Sequence, residues 1–231
     1  MPLPPRVPDA VVTVSPVRVI YLHGFASSPL SSKARLFADR LAAHGVAIDI
    51  PDFNEPSFET LTVTRMIAQA EAIIVRGAGD EIALVGSSLG AFVAVHAAAR
   101  RPAVRRLVLL APALDFASKR LDDLGEDAIA RWRESGRLEV FHYGYGRPMS
   151  LGYELYADAA AYDAFALQLT QPVLIFQGMR DTVVNPNVAR RYARDRTNVT
   201  LRLLDDDHQL LASAETIWEE ARQFLGIPRL P

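Results

Sequence analysis

Near the middle of the chain, Gly86-Ser87-Ser88-Leu89-Gly90 carries the pattern G-x-S-x-G. A serine hydroxyl attacks a carbonyl carbon only when a base takes its proton and the backbone presents it clear of its neighbours. A sharp strand-to-helix turn achieves the presentation. An apolar run (residues 82–85) precedes this pattern and an alanine-rich run (residues 91–100) comes after it. Such a turn folds the chain so tightly that the residues two before and two after the serine must be small. For Ser88 these are Gly86 and Gly90; for Ser87 they would be Val85 and Leu89. Ser88 is therefore the candidate nucleophile and Ser87 a small neighbour. The competing reading is an ordinary Gly/Ser turn in a doubly wound fold, and a base and an acid in suitable places decide against it.

Five histidines are available as the base. His23 follows the first apolar run, in a turn that it is expected to brace. His44 falls near a helix end, His96 inside the helix after Ser88 as a structural residue, and His142 in a long insertion. His208, in "LLDDDHQLL", follows the last strand-like run, where open α/β sheets carry functional groups. Taken alone it reads as an exposed loop histidine; beside Ser88 it is the candidate base. The base needs a carboxylate to fix its tautomer and stabilise its charged form. Asp181, in "VLIFQGMRDTVVNP", supplies one from the loop after the preceding strand-like run. Asp115, after "LVLLAPAL", is an alternative source, and Asp205, Asp206 and Asp207 read mainly as a solvated turn. Two backbone N–H groups would hold the developing oxyanion: that of Leu89, at the helix start, and that of Phe25, after the turn glycine Gly24.

These residues need a frame, and the alternation of apolar patterns provides it. Strand-like runs at residues 17–24, 46–53, 81–86, 104–112, 171–178 and 199–207 are nearly continuous Val, Ile and Leu, as in strands covered on both faces. Helical runs at 31–45, 58–77, 89–101, 186–196 and 213–226 lie between and after them. The expected architecture is α/β, a mostly parallel central sheet with helices on both faces. Residues 113–170 are too long for a simple connection and read as a small lid insertion over the sheet edge. The insertion holds a helical piece at 122–135 and an aromatic, glycine-punctuated piece at 140–156. Within it Phe141, Tyr143, Tyr145, Tyr153 and Tyr156 pack the lid or line a substrate pocket; Tyr143, Tyr145 and Tyr153, with Phe25, are the candidate substrate contacts, and Phe92 is a further neighbour. The insertion is expected to set substrate choice and to add little to the chemical step.

Composition bounds the rest. With 231 residues, half of them hydrophobic, the chain is expected to form one domain (residues 17–231) behind a flexible, proline-rich lead-in (residues 1–16). A net charge of −2 without a basic stripe argues against a nucleic-acid partner. No run is apolar for long enough to cross a membrane, and no signal-peptide pattern opens the chain, so a cytoplasmic protein is expected. Cysteine is absent, which excludes disulfides and a thiol nucleophile. The histidines lack metal-ligand spacing, so no metal and no cofactor is expected, and the expected partner is a small-molecule ester. Lysine occurs only at Lys33 and Lys119 among 25 basic residues; with the abundant alanine this suggests a GC-rich bacterial genome.

The segments "YLHGFASSPLSSKARLF", "LVGSSLGAF", "LIFQGMRDTVVNP" and "DDDHQLL" resemble the α/β-hydrolase superfamily, and more narrowly its small YqiA/YcfP-like esterase branch, in which H-G-F-x-S-S-P opens the domain. The order Ser88, Asp181, His208 is also that of the superfamily. The resemblance runs from about Val17 onward. It implies hydrolysis of small or medium acyl esters by Ser88, Asp181 and His208, with Phe25 and Leu89 at the oxyanion. Thioesters or carbon–carbon bonds are alternative targets for the same residues, and a non-catalytic binding module is the distant alternative. The insertion is longer than a minimal member needs, which leaves the substrate class open.

Overall fold

The computed structural model describes residues 17–77, 81–117 and 124–230. The proline-rich lead-in and residues 118–123 of the insertion lie outside the described residues. In chain order the first elements are β1 (Val17–Leu22), α1 (Ser32–Ala43), β2 (Ile48–Asp49), α2 (Val63–Arg76), β3 (Glu81–Ser87), α3 (Leu89–Arg100) and β4 (Val104–Leu110). The insertion then contributes α4 (Glu126–Ser135), a hairpin of β5 (Arg137–His142) and β6 (Arg147–Gly152), and α5 (Glu154–Ala159). After it come β7 (Val173–Gly178), α6 (Pro186–Ala193), β8 (Val199–Leu204) and α7 (Ala214–Phe224). Among the described residues, the six strands outside the insertion form one parallel sheet in the order β2-β1-β3-β4-β7-β8.

The chain starts at β1, steps outward to β2, then returns across β1 to β3. Strand order reverses there, and crevices open at the carboxyl ends of the strands flanking such a reversal. The register runs from Val17 opposite Glu81 to Leu22 opposite Gly86. The loop after β1 and the Ser88 turn after β3 are therefore side by side.

Alternation along the strands builds two cores. Ile20, Leu22, Ile82 and Leu84 pack with Met66, Ile67 and Ala70 of α2 and with the buried length of α3. Val19, Tyr21, Ala83 and Val85 face the other way, onto Phe37 and Leu41 of α1 and Trp218 of α7. Helix α1 starts where Ser31 accepts from the Ala34 N–H, and it buries Ala34, Phe37 and Leu41, spaced three and four apart. Helix α2 begins five residues later than its pattern suggested. Thr62 caps it by accepting from the Arg65 N–H, and Phe58 and Leu61 are buried in the loop before it, so their apolar character serves tertiary packing.

Within the insertion, the helical reading of 122–135 meets α4 over 126–135; residues 122 and 123 lie outside the described residues, and Gly125 precedes the helix. The aromatic segment is an antiparallel hairpin, which its pattern did not announce. Trp132 anchors it, donating Nε1–H to the Leu151 carbonyl (3.1 Å) and meeting Tyr153 and Tyr156 edge-on. The hairpin tip lies on the loop after β1, where the Gly144 N–H donates to the Ala26 carbonyl (3.1 Å). The insertion thus caps the carboxyl ends of the strands instead of extending past a lateral edge of the sheet. Among the described residues, no helix is long and apolar enough to cross a membrane.

Candidate active site

Ser88 sits between β3 and α3 with φ 53° and ψ −118°. A non-glycine residue held at positive φ costs about 1–3 kcal/mol and persists only where its surroundings impose it. Here the Ser88 N–H donates to the Leu110 carbonyl (2.9 Å), which ties the turn to β4. The requirement for small neighbours is visible in the structure. A Cβ on Gly86 would stand 2.6 Å from the Ala91 Cα, and one on Gly90 would stand 2.0 Å from the Leu22 carbonyl oxygen. Gly24 passes close above, its notional Cβ 3.2 Å from the Ser88 Cβ. Ser87, beside it, is 4% exposed.

His208 and Asp181 meet: His208 Nδ1 lies 2.8 Å from Asp181 Oδ2. Asp181 Oδ2 also accepts from Gln177 Nε2 (3.0 Å), and Oδ1 accepts from the N–H groups of Val183 and Val184, both at 2.8 Å. With both oxygens occupied the carboxylate is fixed. Burial alone would raise its pKa, but the hydrogen bonds from His208, Val184 and Gln177 and the charge interaction with His208 outweigh burial, and the carboxyl lies below its ordinary value. An ionised Asp181 draws the imidazole proton to Nδ1. Nε2, which has no hydrogen-bond partner among the described residues, is left to accept a proton. The acid that meets His208 thus comes from the loop after β7, not from Asp115 after β4.

The loop carrying His208 is held from both sides. Asp206 is 4% exposed; its Oδ1 accepts from the Asp207 N–H and its Oδ2 from the Ser213 N–H, each at 2.8 Å. Asp205, paired with Arg180, and Asp207, exposed and accepting from the Gln209 N–H, behave as the solvated turn residues expected of all three aspartates; Asp206 is structural because a tight turn before α7 leaves N–H groups that need an acceptor. From the other side, Lys33 Nζ donates to the His208 carbonyl (2.9 Å). Burial lowers the Lys33 pKa to about 8, against the opposing pull of Asp181, Asp207 and Asp206. Sequence reasoning missed Lys33. Its one signal was compositional, a rare lysine in an arginine-rich chain.

A cleft of about 670 Å³ joins these groups; Ser88, Leu89, His208, Phe25, Lys33 and Tyr143 are among its lining residues. Neither the Phe25 N–H nor the Leu89 N–H has a hydrogen-bond partner among the described residues; for Leu89, a first helical residue, this is the ordinary state. Of the aromatic residues expected at a pocket, Phe25 and Tyr143 line the cleft. Tyr145 does not. It stacks on His142 at a ring separation of 4.2 Å. Tyr153 stacks on Tyr156 and accepts from Arg133, away from the cleft. Phe92, on α3, is fully buried, while Phe116 lines the cleft although its position gave no sign of it.

The remaining histidines are accounted for. His23 is buried; its Nδ1 donates to the Gly24 carbonyl (2.9 Å) and its Nε2 accepts from the Phe53 N–H (3.0 Å), the bracing role expected. His44 lies at the end of α1 against Trp218. His96 is buried and donates to Phe92 of its own helix. His142 is fully buried, and burial lowers its pKa, which keeps the ring neutral.

A parallel sheet with its serine turn, acid and histidine after β3, β7 and β8 is the α/β-hydrolase fold. The chain belongs to the uncharacterised protein family UPF0227, whose model matches residues 18–225. Among solved structures it is similar to a candidate hydrolase from Agrobacterium vitis S4, with 27% identity over 90% of this chain and 88% of that one, at a TM-score of 0.81. It is also similar to Est1E from Butyrivibrio proteoclasticus with ferulic acid bound (21% identity, 91% and 88% covered, TM-score 0.78). The mouse α/β hydrolase domain-containing protein 10 is a third (22% identity, 91% and 90% covered, TM-score 0.76).

Proposed function

We propose that the protein is a serine hydrolase that cleaves carboxylic esters of small or medium acyl groups through an acyl-enzyme on Ser88. The reading rests above all on the 2.8 Å contact between His208 and an Asp181 whose other lone pairs are filled, in a cleft shared with a serine held at positive φ. Ser88 Oγ attacks the ester carbonyl while His208 Nε2 takes its proton. Asp181 stabilises the imidazolium that forms. The N–H groups of Leu89 and Phe25 hold the oxyanion. The tetrahedral species collapses, His208 protonates the leaving alcohol, and the acyl group stays on Ser88. Water then adds to the acyl carbon as His208 takes its proton; the bond to Ser88 Oγ breaks, His208 returns the proton to that oxygen, and the acid leaves. The binding of ferulic acid by Est1E fits a cleft of this type, walled here by Phe25, Phe116 and Tyr143.

A fluorophosphonate tests the reading directly. It is expected to label Ser88 alone, with Ser88→Ala abolishing both labelling and turnover of p-nitrophenyl butyrate. Labelling that survives Ser88→Ala, or that disappears instead with Ser87→Ala, defeats the assignment. Acyl-thioester and diketone substrates run beside the ester separate ester cleavage from the two related reactions.

A further inference from the structure

We infer that His142 and Asn54 are positioning residues for the chemical step, holding from the insertion the loop that presents the Phe25 N–H. The inference rests on the serine-hydrolase reading of the cleft and concerns a part of the molecule that the reading itself does not use.

Two consecutive carbonyls of this loop are tied to the hairpin. Ala26 O accepts from the Gly144 N–H at the tip (3.1 Å). Ser27 O accepts from Asn54 Nδ2 (2.9 Å), and Asn54 Oδ1 accepts from His142 Nε2 (3.0 Å). Asn54 is itself oriented by Asp52, whose Oδ1 accepts from both its N–H (2.9 Å) and its Nδ2 (2.6 Å). With its amide nitrogen directed at Asp52 and Ser27, Asn54 can offer only its oxygen to His142. His142 must then carry its proton on Nε2, and its Nδ1 accepts from the Tyr145 N–H (3.2 Å). Every polar atom in the relay has one assigned direction, so the relay has one geometry.

Packing adds to this. Between Tyr145, stacked on one face, and Phe58, edge-on at 4.7 Å, the His142 ring has no room to turn. A Cβ on Gly144 would stand 3.0 Å from both the Ser27 carbonyl carbon and the Ser28 Cβ, so the tip backbone lies directly on the loop. The loop itself needs outside support: Ala26 has φ 50°, a conformation a non-glycine residue does not hold by itself. Phe25 precedes Ala26, and a rotation of this turn moves the Phe25 N–H relative to Ser88. A donor is useful to an oxyanion only at about 2.7–3.1 Å, so a small rotation removes its effect in the transition state while leaving the cleft walls in place.

The experiment compares His142→Phe, which keeps the ring and loses both nitrogens, with His142→Gln, whose amide still reaches Asn54, and with Asn54→Asp, which cannot donate to Ser27. Esters of short and long acyl chain are assayed, and hydrogen exchange is followed across residues 25–28 and at Gly144. Losing one oxyanion donor outright costs about 10²–10³ in kcat; a displaced donor is expected to cost about tenfold or more. The expected result is that kcat falls by that factor on both esters in His142→Phe and Asn54→Asp, that KM stays within about twofold, that exchange in 25–28 accelerates, and that His142→Gln recovers part of kcat. Unchanged kcat and unchanged exchange in folded His142→Phe and Asn54→Asp overturn the inference. So does a loss confined to one chain length, which would make the hairpin a substrate wall only. If the wild-type protein hydrolyses no ester and takes no label on Ser88, the serine-hydrolase reading fails; the exchange measurement then still shows whether the relay holds the loop.

Discussion

Two of the glycines packed at the Ser88 turn, Gly90 and Gly24, make different demands on an added methyl group. Gly90 is the second residue of α3, where replacing glycine by alanine ordinarily stabilises by about 0.8–1 kcal/mol. Its Cβ, however, would stand 2.0 Å from the Leu22 carbonyl oxygen and 2.6 Å from that of His23. Both atoms are backbone, one in a central strand, and about 1 Å of movement would be needed. Overpacking that neighbours can absorb costs about 1–3 kcal/mol; taking the upper value less the helix gain leaves a net loss of about 2 kcal/mol as a lower bound. At about 2–4 °C per kcal/mol for a domain of this size, Gly90→Ala lowers Tm by about 4–8 °C or more. At Gly24 the Cβ meets Ser88 Cβ at 3.2 Å and the Ser87 carbonyl oxygen at 3.3 Å, a shortfall of tenths of an ångström. Gly24→Ala is expected to fold with Tm within about 3 °C of wild type, the strain falling on Ser88 and the Phe25 turn. Since about 1 Å of misplacement costs up to about 10²-fold, a few tenths cost about three- to tenfold in kcat. Thermal unfolding and p-nitrophenyl butyrate turnover measure both. A Gly90→Ala protein as stable as wild type would refute the close approach of α3 to β1; an unaltered kcat in Gly24→Ala would refute the claim that this loop belongs to the reacting geometry.

Asp181→Asn leaves an amide opposite His208, so the imidazole proton moves to Nε2 and turnover falls by orders of magnitude, about 10⁴ in the protease where the same change is known; a mild effect there, with a crippling Asp115→Asn, would move the acid to the β4 loop. The lowered Asp181 pKa contributes stability that is present above its unfolded value and lost as pH falls through the folded one, so the acid limb of a Tm–pH curve is shallower in Asp181→Asn. Lys33 has the complementary sign: with a folded pKa of about 8, below its ordinary 10.5, the folded state binds fewer protons between these values and gains stability as pH rises through them. Lys33→Met removes that rise, and a Tm–pH curve still climbing from pH 8 to 10 in the variant would show that another group causes it. Tyr143→Ala is expected to raise KM on long acyl esters with little change in kcat, whereas Tyr153→Ala lowers Tm and leaves the chain-length profile unaltered; a selective KM effect in Tyr153→Ala would contradict its position behind Trp132.

Legibility in the sequence was set by short range. The choice of Ser88 over Ser87 comes from steric demands within five residues, and in the structure Gly86 and Gly90 leave no room for a Cβ against Ala91 and Leu22. The order of strands and helices was legible because a parallel sheet covered on both faces requires uninterrupted apolar runs. The hairpin was not: β5 alternates in burial but β6 does not, and its aromatic residues look alike in sequence whether they face the cleft, as Tyr143 does, or stack on a neighbour, as Tyr145 and Tyr153 do. The helix pattern before Val63 misled because Phe58 and Leu61 are apolar for the sake of tertiary contacts.

The groups that hold the candidate site were hidden for a different reason. Lys33 reaches the His208 carbonyl across 175 residues and His142 reaches Asn54 across 88, and neither spacing matches any local period. Chemistry-bearing residues announce themselves because a turn, a strand end or a glycine must accompany them. Residues that fix a loop need only one hydrogen-bonding atom at one place, which many types can supply from any element that passes nearby. The insertion is a case of this. Its sequence pattern offers aromatic residues and so suggests a wall for an acyl chain. Its contacts present the Gly144 N–H to one carbonyl of this loop and the His142 ring to Asn54, which holds the next carbonyl, and place most of its aromatic surface against itself. A segment that served substrate choice alone would not also be bonded to the Ala26 carbonyl and tied through Asn54 to that of Ser27, because a shift of its tip would move the Phe25 turn. On the proposed reading, the tip side chain Tyr143, 79% exposed and in the cleft, bears on substrate choice, and the hairpin backbone on the placing of the Phe25 turn.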